Sequence, residues 1–202
     1  MEHSTKTRTE SVAGMRPPNS AAPVSDSHAL SVLTRRLRLV GESQLVAALW
    51  PHDYGSGRSF VGRMARAGRI EIVDVLAHPL IPLKGPLASW QPGLPVPDLA
   101  SVSYRAKARW SAASAATRVL IATEAAVAIV GGCPGRHPRL SEATHDLHVA
   151  AIYFAMTQEL PTRAESWRGE GQASADGPSR SVGPRTKLPD ATVRDGTHRT
   201  AI

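Results

Sequence analysis

The sequence predicts an α+β fold, and three observations carry that expectation. The stretch from Glu42 to Leu76 reads as helix, turn, helix and strand. Apolar residues in its second helix recur at helical spacing and leave arginines on the opposite side. A Pro- and Gly-rich segment then separates the Ile/Val-rich strand at 69–76 from a second apolar run, Arg118 to Ala122, placed to return beside it. Two helices, a strand, a long connection and a returning strand follow the order of a winged helix, which sets a recognition helix against nucleic acid. The full expectation is a winged helix-turn-helix with an elaborated wing, followed by helices and an incomplete β-hairpin.

Residues 1–26 mix Ser, Thr, Pro and charge without apolar periodicity, the composition of a disordered leader. Ser27 is the expected cap of a first helix whose apolar stripe is Leu30, Leu33, Leu37 and Val40, with Gly41 closing it. Arg35, Arg36 and Arg38 fall off that stripe, on a solvated or phosphate-facing side. A second helix from Glu42 buries Leu45, Val46, Leu49 and Trp50, and Pro51 ends it, because proline has no N–H to give and clashes with the preceding turn. HDYGSG reads as the turn, and the third helix starts near Ser56 or Gly57 with Phe60, Val61 and Met64 inward.

Gly68 closes the third helix before the strand at 69–76, and the Pro-rich segment to Asp98 forms the wing. Asp98 caps a helix carrying Leu99, Val102, Ala106 and Trp110 on one side. Arg118 to Ala122 returns to pair with 69–76, and Thr123 caps a helix that ends at Gly131 and Gly132. Ser141 precedes a strong helix containing His145, Asp146 and His148, with Leu147, Ala151 and Phe154 inward. His145 and His148 share a helix face, but two histidines and one acid are too few to hold a metal without distant ligands. Near the end, LPDATVRDGTHRTAI carries a strand, the turn Asp195-Gly196 and a second strand beginning at Thr200. A hairpin so short gains little from pairing, which suggests a fragment or a shortened product.

The formal net charge is +7 and the pI about 10.3. Basicity favours a polyanionic partner without specifying one. Its placement says more: between Ser27 and Ile70 stand Arg35, Arg36, Arg38, Arg58, Arg63, Arg66 and Arg69, against only Glu42 and Asp53. Arginine can donate two parallel hydrogen bonds to guanine or to a phosphate. The first residues of a recognition helix reach base edges, so Arg58, Ser59 and Arg63 are the candidate base contacts. Arg66 and Arg69 are the candidate phosphate contacts. The plainer alternative is an arginine face that keeps a surface helix soluble.

The single cysteine, Cys133, forms no internal disulfide and no CxxC pair, so a reducing compartment is expected. The opening stretch lacks the apolar core of a secretory signal. The most apolar run, 119–132, is too short to span a bilayer and contains Glu124. A cytoplasmic protein that acts on double-stranded DNA, away from membranes and compatible with a homodimer, is the resulting expectation.

With the helix-turn-helix, HDLHVAA at 145–151, WRGE at 167–170 and LPDATV at 188–193 in view, the chain resembles the replication-relaxation family of bacterial plasmids and mobile elements. The resemblance covers roughly Leu30 to the C-terminus. It implies DNA binding by the winged helix, as an accessory of replication, mobilisation or regulation, and a later region like a PD-(D/E)xK nuclease core. In such a core carboxylates hold Mg²⁺, which activates water, and a lysine steadies the developing charge.

By position, Glu170 and Asp190 would be the first two carboxylates. The required acidic-x-Lys would fall beyond Ile202, and Lys187 precedes Asp190 instead of following it. The nuclease alternative with Mg²⁺ is therefore incomplete in this sequence, and no cofactor is expected for binding alone. The implied organisation is a leader at 1–26, a winged-helix domain at 27–132, a helical continuation at 133–170, and at 171–202 a flexible segment opening a truncated nuclease-like core.

Overall fold

The computed structural model describes residues 24–80, 93, 95–139, 142–170, 172, 190–196 and 198–201. Among them lie seven helices and two three-stranded antiparallel sheets, an α+β architecture. The order is α1 (Asp26–Arg35), β1 (Val40–Gly41), α2 (Glu42–Leu49), α3 (Tyr54–Arg66), β2 (Ile70–Ala77), α4 (Leu99–Ser111), β3 (Ala115–Ala122), α5 (Glu124–Val130), α6 (Ala143–Glu159), α7 (Pro161–Glu165), β4 (Arg168–Gly169), β5 (Ala191–Asp195) and β6 (His198–Ala201). Most of the leader, residues 81–92 and 94 of the expected wing at 78–98, and the stretch 173–189, with Lys187, lie outside the described residues.

The first sheet has the order β1-β3-β2. β2 and β3 pair over their full lengths, from Ile70 opposite Ala122 to Ala77 opposite Ala115, and β1 adds Val40 opposite Leu120. The expected return of Arg118–Ala122 beside 69–76 is thus present, and longer than expected. Because side chains alternate across a strand, β3 feeds two clusters. Leu120 and Ala122 join Leu30, Leu33, Leu45, Val46, Phe60 and Met64 on one face, while Val119 and Ile121 join Leu39, Ala77 and Leu147 on the other. Helix α6 supplies the cover for that second face through Leu147, and Gln44 on α2 donates to the Leu147 carbonyl at 3.0 Å.

The first helix differs from expectation at both ends. Its N-cap is Ser25, which accepts from the His28 N–H at 3.1 Å, and the helix stops at Arg35. Leu37, Leu39 and Val40 are buried, but on chain leading into β1 rather than on a helical stripe. Leu37 and Val40 pack into the cluster with Leu30 and Leu39 into the cluster with Leu147, and that packing overrides the helical reading. Gly41 accordingly caps α2 instead of closing α1; its N–H donates to Gln44 at 3.0 Å.

HDYGSG is not a turn throughout. Helix α3 begins at Tyr54, because the Asp53 carboxylate accepts from the Ser56 N–H at 3.0 Å and caps it. That hydrogen bonding by Ser56 holds the Asp53 carboxyl below its ordinary range. The cap therefore contributes stability above the ordinary aspartate pKa and loses it as pH falls through the lowered one. Gly57, the second glycine of HDYGSG, is instead a packing residue: a Cβ there would stand 2.6 Å from Val46 and 3.1 Å from Trp50. The Trp50 and Phe60 rings meet just beyond, 5.2 Å between centroids.

Helix α4 is capped by Asp98 as expected, but Leu99 is exposed rather than packed inward. The Thr123 side chain does not cap α5; its hydroxyl donates to the Gly68 carbonyl at 2.7 Å, tying the end of β3 to the turn after α3.

The second sheet, β4-β5-β6, contains the expected hairpin around Gly196, with β6 starting at His198 rather than Thr200. It joins the main core. Trp167 is fully buried against Tyr153, and Ala191 and Val193 belong to the same cluster as Leu30 and Phe60. The Trp167 indole N–H donates to the Arg36 carbonyl at 2.9 Å, while the Arg36 guanidinium donates to the Trp167 carbonyl.

The two α3 glycines should respond to alanine in opposite directions in denaturant unfolding. Gly57→Ala is expected to lose about 1–3 kcal/mol by overpacking against Val46. Gly62→Ala, where nothing lies within 4 Å of the added carbon, should gain about 0.5–1 kcal/mol from reduced backbone freedom in the unfolded chain.

Candidate nucleic-acid interface

Helix α3 spans 13 residues and divides cleanly around its axis. Gly57, Phe60, Val61 and Met64 are buried, whereas Arg58, Ser59, Arg63 and Arg66 are exposed. At 3.6 residues per turn, an inward stripe at 57, 60, 61 and 64 leaves 58, 59, 63 and 66 for the outside. The sequence-predicted contact residues are therefore together on one helix surface. Arg69 stands apart: it follows the helix, is half-buried, and lays its guanidinium 3.9 Å from the Met64 sulfur.

The exposed arginines sit beside acids. Arg63 pairs with Asp26 at 2.8 Å. Arg58 lies 4.0 Å from Glu42 and about 5.9 Å from the Tyr54 ring centroid. Both guanidiniums remain half-exposed or more, so these pairs hold the side chains only weakly and a phosphate can exchange for either acid. Glu42 also receives Arg118 of β3 at 3.5 Å, and Arg118 reaches Asp74 at 3.8 Å. Arg118 thus joins the start of α2 to the sheet, and through Glu42 stands near Arg58 of α3. Sequence reasoning passed over it as the first residue of a strand; the usable signal was its place immediately before the buried run from Val119.

Arg35, which ends α1 and stays exposed, and Arg36 and Arg38, which follow it and are partly buried, all bond back to the fold. Arg35 donates through Nε to the Val130 carbonyl at 3.2 Å, and Arg36 is tied to Trp167. Arg38 is largely buried among Asp146, Glu142 and Glu170, the latter two at 3.4 Å. Burial alone would lower the Arg38 pKa, but the hydrogen bond to Asp146 and the surrounding carboxylates outweigh it and raise the value. Burial pushes the Asp146 carboxyl up, against the pull of Arg38. The Arg139 N–H, and behind it Arg136, Arg38 and Arg139 as cations, hold Glu142 down.

The two candidate catalytic carboxylates come near one another: Glu170 and Asp190 line a small cavity with Asp146 and Arg38. Each has a cationic or ionisable neighbour. Glu170 faces Arg38, and Asp190 meets His145 at 2.9 Å. His148 is bonded elsewhere, through Nδ1 to the Thr144 carbonyl at 2.7 Å. Among the described residues no three His, Cys, Asp or Glu side chains are grouped to hold a metal ion. No helix of the described residues is long and apolar enough to cross a membrane.

No family model, curated protein or solved structure matches the chain. What the site can do is therefore read from its geometry alone: an exposed row of guanidiniums on a rigidly docked helix, next to an antiparallel strand pair.

Removing Arg38 should be far more damaging than removing Arg63. Arg38→Ala leaves the Asp146 charge buried without its main partner, a loss of about 3 kcal/mol, while Arg63→Ala should change stability by about 1 kcal/mol or less. The Arg38→Ala loss should be larger at pH 7 than near pH 4 in urea unfolding. In that variant the folded Asp146 holds its proton more tightly than the unfolded chain does, so stability falls as pH rises from the ordinary aspartate pKa through the raised one. Equal losses at both pH values would contradict the assignment.

Proposed function

We propose that this protein is a winged-helix DNA-binding protein in which α3 enters the major groove of double-stranded DNA. The observation that carries the reading is the exposed face of α3, with Arg58, Ser59, Arg63 and Arg66 together outside and the apolar stripe packed beneath. The order α1-β1-α2-α3-β2-β3 with sheet order β1-β3-β2 supports it, with α4 and its flanking loops inserted where a wing stands. Arg58, Ser59 and Arg63 are placed to meet base edges, and Arg66 with Arg69 to meet the backbone. Arg118, next to Arg58 through Glu42, adds a contact from the sheet. In this reading DNA displaces Glu42 and Asp26 from their arginines, so those acids favour targets that replace both with phosphate or guanine oxygens.

The motif resemblance to the replication-relaxation family is what favours an accessory role in plasmid or mobile-element replication, mobilisation or regulation. Binding, rather than Mg²⁺-dependent strand cleavage, is the function proposed, since Glu170 and Asp190 are engaged with Arg38 and His145.

A mobility-shift titration with duplex DNA tests this reading. Binding should weaken steeply as NaCl rises, because phosphate contacts release counterions. Arg58→Ala with Arg63→Ala should weaken binding about tenfold or more, each good bidentate contact being worth about 1–3 kcal/mol. Arg66→Ala should reduce the salt slope by about 1 without changing sequence preference. Unchanged affinity in the Arg58/Arg63 double variant would remove the recognition-helix reading.

A further inference from the structure

A second basic region lies at the opposite end of α1 from α3. Asp26, the first residue of α1, holds Arg63 of α3, whereas Arg35, its last, lines a cleft of about 570 Å³. Nine residues of helix separate the two ends, about 14 Å of rise. One wall of the cleft is Arg35 and Arg36; the other is Arg168 of β4 and Arg194 of β5. Arg168 pairs with Thr192, so Arg194, two residues on, lies on the same face of the second sheet. Among the described residues of the lining Glu165 is the one carboxylate, beside the guanidiniums of Arg35, Arg36, Arg168 and Arg194. An adjoining cavity of about 200 Å³ extends the space toward Arg136.

The arginines of the first wall are held by neutral groups. Arg35 gives its Nε–H and one terminal N–H to the Val130 carbonyl, and Arg36 gives one terminal N–H to the Trp167 carbonyl. A guanidinium carries five N–H donors, so each keeps donors to spare, and no acid among the described residues forms an ion pair with either. This differs from Arg38, which is enclosed by carboxylates, and from Arg58 and Arg63, which have acid partners. Among the described residues of the lining there is no aromatic ring to stack a base. Two pairs of guanidiniums across a polar space match phosphate oxygens in charge and in fork geometry.

We infer that this cleft is a second phosphate-binding site, independent of α3, that takes two adjacent phosphate groups between Arg35 and Arg36 on one wall and Arg168 and Arg194 on the other. The ligand chemistry is that of a diphosphate or of successive phosphates in a nucleic-acid backbone. The inference does not depend on what α3 binds.

Cys133, the sole cysteine, lines both cavities and serves as a reporter. The full chain is alkylated with iodoacetamide, an uncharged reagent, with and without inorganic pyrophosphate at constant ionic strength. Pyrophosphate should slow Cys133 labelling at least fivefold. Arg168→Gln with Arg194→Gln should raise the half-protecting concentration at least tenfold, while Arg58→Ala with Arg63→Ala should leave it unchanged. Absence of protection in the unsubstituted chain would overturn the inference without any variant having to fold. Protection insensitive to the Arg168/Arg194 pair, or lost in the Arg58/Arg63 pair, would overturn it too. In the Arg58/Arg63 background, protection by a 20-base-pair duplex identifies a backbone source and protection by ADP a soluble nucleotide; either supports the site.

Discussion

The outward arrangement of α3 depends on how closely it approaches α2. Gly57 has no side chain where a single added carbon would strike Val46, and one turn later Phe60 packs on Trp50. A helix held by one missing Cβ and one aromatic pair has little freedom to rotate about its axis. The exposed positions follow from that lock: once 57, 60, 61 and 64 face inward, Arg58, Ser59 and Arg63 have only solvent to face. Full burial of a side chain such as Phe60 contributes about 1.5–3 kcal/mol, more than any exposed ion pair on the other side of the helix.

A second constraint ties the later chain to the first. The chain just after α1 meets the segment after α7 at three points: the reciprocal hydrogen bonds of Arg36 and Trp167, the approach of Gly169 to the Arg36 carbonyl, and the pairing of Arg38 with Glu170, while Arg38 also reaches Glu142 and Asp146 at the start of α6. A Cβ on Gly169 would sit 2.5 Å from that carbonyl oxygen, so the backbones are in contact there. The arginines that follow the last turn of α1 thus hold the fold together, and the same geometry leaves Arg35 and Arg36 at the rim of an open, basic cleft.

Local signals were legible where one element decided its own form. Pro51 ending α2, Asp98 capping α4, Gly68 turning with φ +65°, and the Ile/Val strands at 70–77 and 119–122 all declare themselves through short-range chemistry. The inward face of α3 was legible for the same reason. What failed did so because distant residues decided it. Leu37 and Val40 read as the third and fourth helical positions until β3 offers a partner for Val40, and helix then gives way to strand. Arg38 looks like surface charge until acids 104 and 108 residues away close around it. The glycines of HDYGSG signal a turn by composition, but Gly57 is there for contact with Val46. Glu170 and Asp190 could be paired from sequence only through resemblance; that Arg38 and His145 would meet them could not.

Charge at the proposed interface is balanced in the free protein, since Glu42 and Asp26 already attend Arg58, Arg63 and Arg118. Under the proposed function, association with DNA would be an exchange of carboxylate for phosphate or base, and its strength would depend on geometry more than on the bulk charge of +7. The most direct measurement places a photo-crosslinking side chain at Ser59, between the two arginines, and irradiates the protein with labelled duplex DNA. The account predicts covalent capture of the duplex from Ser59, suppressed by unlabelled competitor. Capture from a probe at exposed Ile129 on α5, with none from Ser59, would contradict it.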